Sequence, residues 1–174
     1  MISVISGTNR PHNTTLKIAQ HYFNVLKKRD QEVSLLSILD LPHDFAFNND
    51  VYGERNADFS KTIREHIVPA EKLVIVSPEY NGSFPGVLKS FIDGIWPENL
   101  KGKKAALVGV ASGRAGNLRG MEHMTGILHY LSVHVLPMKL AISKVDKIIN
   151  DEGELTDEKV LGFIERQVDA LIDF

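Results

Sequence analysis

Three clusters of polar residues have the types and spacing to do chemistry. The first, Gly7-Thr8-Asn9-Arg10-Pro11-His12-Asn13-Thr14-Thr15, follows an apolar run and opens a segment of helical periodicity. Unpaired amides at a helix's amino end favour an anion, Arg10 can pair with it, and Thr8, Asn13, Thr14 and Thr15 can donate hydrogen bonds. An ordinary helix cap would account for Asn13 or Thr14 taken singly. A cap needs only one side chain, however, and this cluster offers several donors beside Arg10. With neither a Gly-x-Gly-x-x-Gly nor a Gly-Lys-Thr pattern, the loop suits a monophosphate better than a dinucleotide or a P-loop nucleotide.

The second cluster, Ser77-Pro78-Glu79-Tyr80-Asn81-Gly82-Ser83-Phe84-Pro85-Gly86, interrupts the apolar run Leu73-Val74-Ile75-Val76 and leads into a helix. Its glycines and prolines fix an unusual backbone, while Glu79, Tyr80, Asn81 and Ser83 bring polar groups and one flat surface beside exposed main-chain amides. The third, Ser112-Gly113-Arg114-Ala115-Gly116-Asn117, places small residues after another buried run, where main chain can approach a flat ligand closely. Together the three suit a ligand with a phosphate at one end and a planar, polar-edged ring at the other. Flavin mononucleotide (FMN) meets both requirements. A flavin accepts hydride itself, so the protein needs no nucleophile, acid or base, and no catalytic residue is assigned. Glu79 therefore reads as structural, whereas Tyr80 can flank the ring or pack under its loop.

These clusters need elements to carry them. Short β-branched runs predict strands over 2–6, 33–38, 72–77, 105–111 and 133–136, and helical spacing predicts helices over 14–28, 59–68, 85–95, 121–131 and 157–172. The stretch 40–60 reads as a long polar connection. Strands that are continuously apolar and alternate with helices indicate a doubly wound α/β domain with a parallel sheet covered on both faces. In such a sheet ligands bind outside the carboxyl ends of the strands, where the first, third and fourth loops lie.

Composition narrows the functional classes. The 174 residues, 43% of them hydrophobic, suffice for one domain with a real core. A net charge of -2, spread without blocks, gives no reason to expect nucleic acid or a membrane surface as partner. Cysteine is absent, and seven scattered histidines lack a ligand pattern such as His-Glu-x-x-His, so no metal site is expected. With no leader-like or membrane-spanning run, the expectation is a cytoplasmic protein.

The sequence also resembles a known family, the NAD(P)H-dependent FMN reductases of flavodoxin-like fold, which includes quinone, azo-dye and chromate reductases. The specific match is Ser77 to Ser83 followed by Pro85-Gly86-Val87-Leu88-Lys89 and Ile92-Asp93. The family's Gly-Ser-x-Arg-x-x-Ser-x-Asn loop is met more loosely as Gly7, Thr8, Arg10, Asn13 and Thr15, and the Asp40-Leu41-Pro42 turn and Ser112-Gly113 loop are also similar. The resemblance implies a five-stranded sheet of order 2-1-3-4-5 and a non-covalent FMN. Its phosphate would lie on Thr8, Arg10, Asn13 and Thr15, and its ring against Pro78, Glu79, Tyr80, Asn81, Gly82, Ser83, Ser112 and Gly113. It further implies NADPH or NADH as co-substrate, a small-molecule electron acceptor, and a homodimer or homotetramer. An FMN electron carrier, or a flavodoxin-like binding module without turnover, is the alternative. The near-neutral charge speaks against a carrier that docks on protein partners through acidic surface.

Overall fold

Each apolar run predicted as a strand becomes one, and the helices fall between them in the expected alternation. The computed structural model describes residues 1–47, 56–150 and 152–174. In chain order the elements are β1 (Ile2–Ser6), α1 (Thr14–Lys28), β2 (Val33–Ser37), α2 (Ala57–Thr62), β3 (Lys72–Pro78), α3 (Gly86–Asp93), β4 (Lys104–Val110), α4 (Leu118–Tyr130), β5 (His134–Val135), β6 (Leu140–Ile142) and α5 (Glu158–Asp173). The parallel sheet runs β2-β1-β3-β4-β5, the order of a flavodoxin-like fold, as expected. Side chains alternate between two buried layers. Ile5, Leu73, Ile75 and Leu107 join the core on one face, and Val4, Val74, Val76 and Val108 join the core on the other, with α1 and α5 residues. That double burial is why no polar alternation shows in these strands.

Register places the site. Ser6 pairs with Val76, and Val76 with Val108, so β1, β3 and β4 end close to level and their loops leave the sheet side by side.

The edge strand departs from expectation. The strand expected over 133–136 shortens to β5, beside Lys104 and Ala105, and an additional strand that the sequence did not suggest, β6, lies beside Val108 to Val110. Between them Pro137 contributes no N–H, and the widened stretch 136–139 cannot pair residue by residue with 106–107. Gln167 of α5 fills the gap: its Nε2 donates to the carbonyls of Leu107 (3.1 Å) and Met138 (2.7 Å), and its Oε1 accepts from the buried Tyr22 hydroxyl at 2.6 Å. Burial raises the Tyr22 pKa well above its ordinary value, which keeps this hydroxyl a donor.

The helix expected over 59–68 starts at Ala57, with Asn56 as its cap, and widens into a π-helical turn over Ile63–Ile67. Phe59 anchors it, stacked on Phe45 at 5.4 Å and edge-on to Phe91 at 6.0 Å. Much of the polar connection over 40–60 lies outside the described residues. Among the described residues no helix is long and apolar enough to cross a membrane.

Candidate functional site

At the carboxyl edge of the sheet an open cleft of about 290 Å³ is lined by Thr8, Arg10, Pro11, His12, Asn13, Thr14, Thr15, Pro78, Glu79, Tyr80, Val110, Ala111, Ser112, Val145 and Asp146. Three separate loops thus contribute to one wall. Of the residues singled out from sequence, Asn81, Gly82, Ser83 and Gly113 stand outside this lining.

The first loop is built by its own hydrogen bonds. Thr8 is completely buried, and its hydroxyl accepts from the Arg10 amide at 3.2 Å. His12 adopts a left-handed conformation (φ 51°) that turns the chain into α1. Asn13 caps that helix, accepting from the Leu16 amide at 2.7 Å, and its Nδ2 donates to the Arg10 carbonyl at 2.6 Å. Asn13 is therefore the ordinary cap and a loop clasp together. The Arg10 side chain is exposed, and among the described residues no carboxylate pairs with it; its guanidinium lies over the Tyr80 ring, 4.5 Å from the centroid.

The second loop contains a two-residue hairpin. Tyr80 and Ser83 exchange backbone hydrogen bonds of 2.8 and 3.1 Å across Asn81 (φ 51°) and Gly82 (φ 76°). Two successive positive φ values define a type I′ turn, for which Asn-Gly is the favoured pair. The hairpin rests on α4, where Ser83 Oγ is 2.9 Å from His123 Nδ1. The Arg119 guanidinium packs where a side chain on Gly82 would project.

The third loop reveals a residue that sequence reasoning passed over. Asn117, buried and left-handed (φ 60°), donates its Nδ2 to the carbonyls of Ser77 (3.1 Å) and Pro78 (2.9 Å), binding the third loop to the second. Its own amide donates to Glu79 Oε2 at 3.2 Å, so the Glu79 carboxylate caps α4, in keeping with its structural reading. Gly109, within β4, makes this possible, because a Cβ there would stand 2.1 Å from the Gly116 carbonyl oxygen. An asparagine beside a glycine after a buried strand was the available signal, since asparagine tolerates left-handed backbone. Asp146 and Val145 also line the cleft, from a short 3₁₀ turn after β6 that carried no pattern in the sequence.

The donor set suits a phosphate monoester with a flat ring. A cation, hydroxyls and the unpaired amides opening α1 gather at the first loop, while the carboxylates of Glu79 and Asp146 enter from other elements. Fold and site together define a flavodoxin-like mononucleotide-binding protein. The sequence profile of the NADPH-dependent FMN reductases matches residues 1–147, and the chain belongs to that family. It is 35% identical over 145 residues to an NAD(P)H-dependent FMN reductase of Pseudomonas aeruginosa, covering 80% of this chain and 76% of that one. It is 26% identical over 173 residues to a 2-hydroxy-1,4-benzoquinone reductase of a Burkholderia species, covering 97% of this chain and 92% of that one. Among solved structures, the flavoenzyme NAD(P)H:(acceptor) oxidoreductase FerB of Paracoccus denitrificans superposes with a TM-score of 0.82 at 26% identity, over 99% of this chain and 94% of that one. The protein is an FMN-dependent NAD(P)H oxidoreductase.

Proposed function

We propose that the cleft holds FMN with its phosphate on the first loop and its ring along the second and third. Arg10, Thr8, Asn13, Thr14 and Thr15 would serve the phosphate. Pro78, Glu79, Ser112 and Gly113 would face the ring, Tyr80 would line the cleft beside them, and Asn81, Gly82 and Ser83 would shape the adjoining hairpin. The observation that carries this reading is Arg10, a cation with no carboxylate partner among the described residues, held at the amino end of α1 in a cleft with Pro78, Tyr80 and Ser112. When bound, the flavin supplies hydride and electron transfer. The chain's part is to orient the ring, to donate hydrogen bonds from main-chain amides to its polar edge, and to leave one face open for NADPH or NADH and then for the acceptor.

A small quinone is the acceptor we favour, supported by the similarity to the Burkholderia benzoquinone reductase; an azo compound, free flavin or a metal oxyanion is the alternative. The protein acts in the cytoplasm as a homodimer or homotetramer in this reading. Apolar surface such as Phe47 (92% exposed) and Tyr130 (88% exposed) supports association, and light scattering would report the assembly. Protein saturated with FMN should show a perturbed flavin band and oxidise NADPH over many turnovers with a small quinone, without added reductase. Perturbed flavin without turnover would make it a carrier or binding module. No perturbation and no oxidation would remove the whole reading.

A further inference from the structure

The contact between the first two loops runs through a single hydroxyl. Tyr80 Oη lies 2.7 Å from Thr8 Oγ1, the atom that already accepts from the Arg10 amide. A threonine hydroxyl has one proton and two lone pairs. Thr8 is completely buried, and among the described residues its proton has no acceptor other than Tyr80 Oη. Either oxygen can donate across this pair; we take Thr8 as the donor, because that direction gives its buried proton a partner within the protein. The Tyr80 proton is then free of any protein acceptor among the described residues, on a partly buried side chain that lines the cleft.

The ring that carries this hydroxyl is held through its backbone and on one face. Its backbone is fixed by the Asn81-Gly82 turn and by Ser83 against His123, while the Arg10 guanidinium covers its face at 4.5 Å. From these contacts we propose that the Tyr80 hydroxyl is a phosphate-binding group, oriented by Thr8, and that the Tyr80 ring is the platform that holds Arg10 over the same phosphate. The inference rests on the FMN reading above. It assigns the tyrosine to the phosphate end of the ligand rather than to the ring, and makes Thr8 a positioning residue that acts through it.

Comparing FMN with riboflavin, which has the same ring and no phosphate, tests this directly. Flavin fluorescence titrations of wild type and Tyr80→Phe should show FMN weakened about tenfold by loss of one charged hydrogen bond, with riboflavin affinity unchanged. Tyr80→Leu, which also removes the platform, should weaken FMN further and again spare riboflavin. Thr8→Val should weaken FMN selectively and add little in the Tyr80→Phe background, because both remove the same donor chain. Inorganic phosphate should compete with FMN less well on Tyr80→Phe than on wild type. Equal weakening of FMN and riboflavin would place Tyr80 on the ring and overturn the proposal, as would unchanged FMN affinity. Wild type that binds neither flavin would instead fail the FMN reading itself, and the proposal with it.

Discussion

The two ends of the parallel sheet use positive charge in opposite ways. At the amino end, cations are turned inward onto backbone. Lys72 Nζ donates to the carbonyls of Leu171 (3.0 Å) and Ile172 (2.6 Å) at the end of α5, Lys103 donates to the carbonyls of Val68 and Ala70, and Lys104 to that of Phe174. Helix ends leave carbonyls without partners, and these lysines satisfy them. Burial lowers the Lys103 pKa, the sign of an ammonium drawn out of water for a structural purpose. At the carboxyl end Arg10 has no such carbonyl or carboxylate among the described residues, only an aromatic face. Left-handed backbone occurs at both ends, at Asp30, Gly102 and Ser132 in amino-end loops and at His12, Asn81, Gly82, Gly116 and Asn117 in the carboxyl-end loops. One edge commits its cations to the fold and the other leaves Arg10 without a carboxylate among the described residues, which is the contrast that the proposed phosphate site draws on.

The severest way to break that contrast is to remove the packing that lets the carboxyl edge form. Gly109→Ala puts a Cβ against the backbone carbonyl of Gly116, a group that cannot swing aside as a flexible side chain can. We expect a loss of about 3 kcal/mol in urea unfolding, together with a misplaced Asn117 and impaired FMN binding. Full stability in that variant would show that the third loop adapts freely.

Arg10→Ala should divide function from fold. FMN binding should weaken by about 1.5 to 3 kcal/mol, roughly tenfold to a hundredfold, while the unfolding midpoint stays put. Lys72→Met should do the reverse, costing about 1 kcal/mol of stability with unaltered FMN affinity, since its bonds lie at the far end of the sheet. If Arg10→Ala destabilised the protein as much as Lys72→Met, both edges would be structural and the contrast would collapse.

Much of this arrangement was readable because it depends on local chemistry. The unbroken apolar run Leu73-Val74-Ile75-Val76 announces a strand buried on both faces, and Asn81-Gly82 announces a tight turn. That the first loop carries Arg10 into a cleft at the amino end of a helix was also legible from Arg10 and its neighbours. What stayed hidden depends on pairs distant in sequence. Nothing near Pro137 shows that Gln167, far along the chain, fills a broken edge ladder. Nor does the third loop show that Asn117 reaches back to Ser77 and Pro78, or that Tyr80 spans to Thr8. The distinction between a ring contact and a phosphate contact for Tyr80 lies in such a long-range pair, and composition of the loop alone leaves it open.

The mildest test concerns His66, in the π-helical turn beside the amino edge. Its Nδ1 is buried with no hydrogen-bond partner among the described residues, and burial lowers its pKa, with Glu65 opposing in part. The folded state therefore holds the imidazole neutral at a pH where the unfolded chain, titrating near 6.5, already takes up a proton. More protons bound in the unfolded state means that stability falls as pH drops through 6.5 and levels once the folded imidazole also titrates. His21, lowered by burial and by Lys28, contributes with the same sign, so the informative quantity is the difference between proteins. Urea midpoints at pH 7.5 and 5.5 should move apart less in His66→Gln than in wild type, by an amount smaller than either lysine or arginine substitution produces. Identical pH dependence would mean that the π-helical turn opens far enough to hydrate His66, and FMN affinity should be indifferent to the substitution because the turn lies away from the cleft-lining residues.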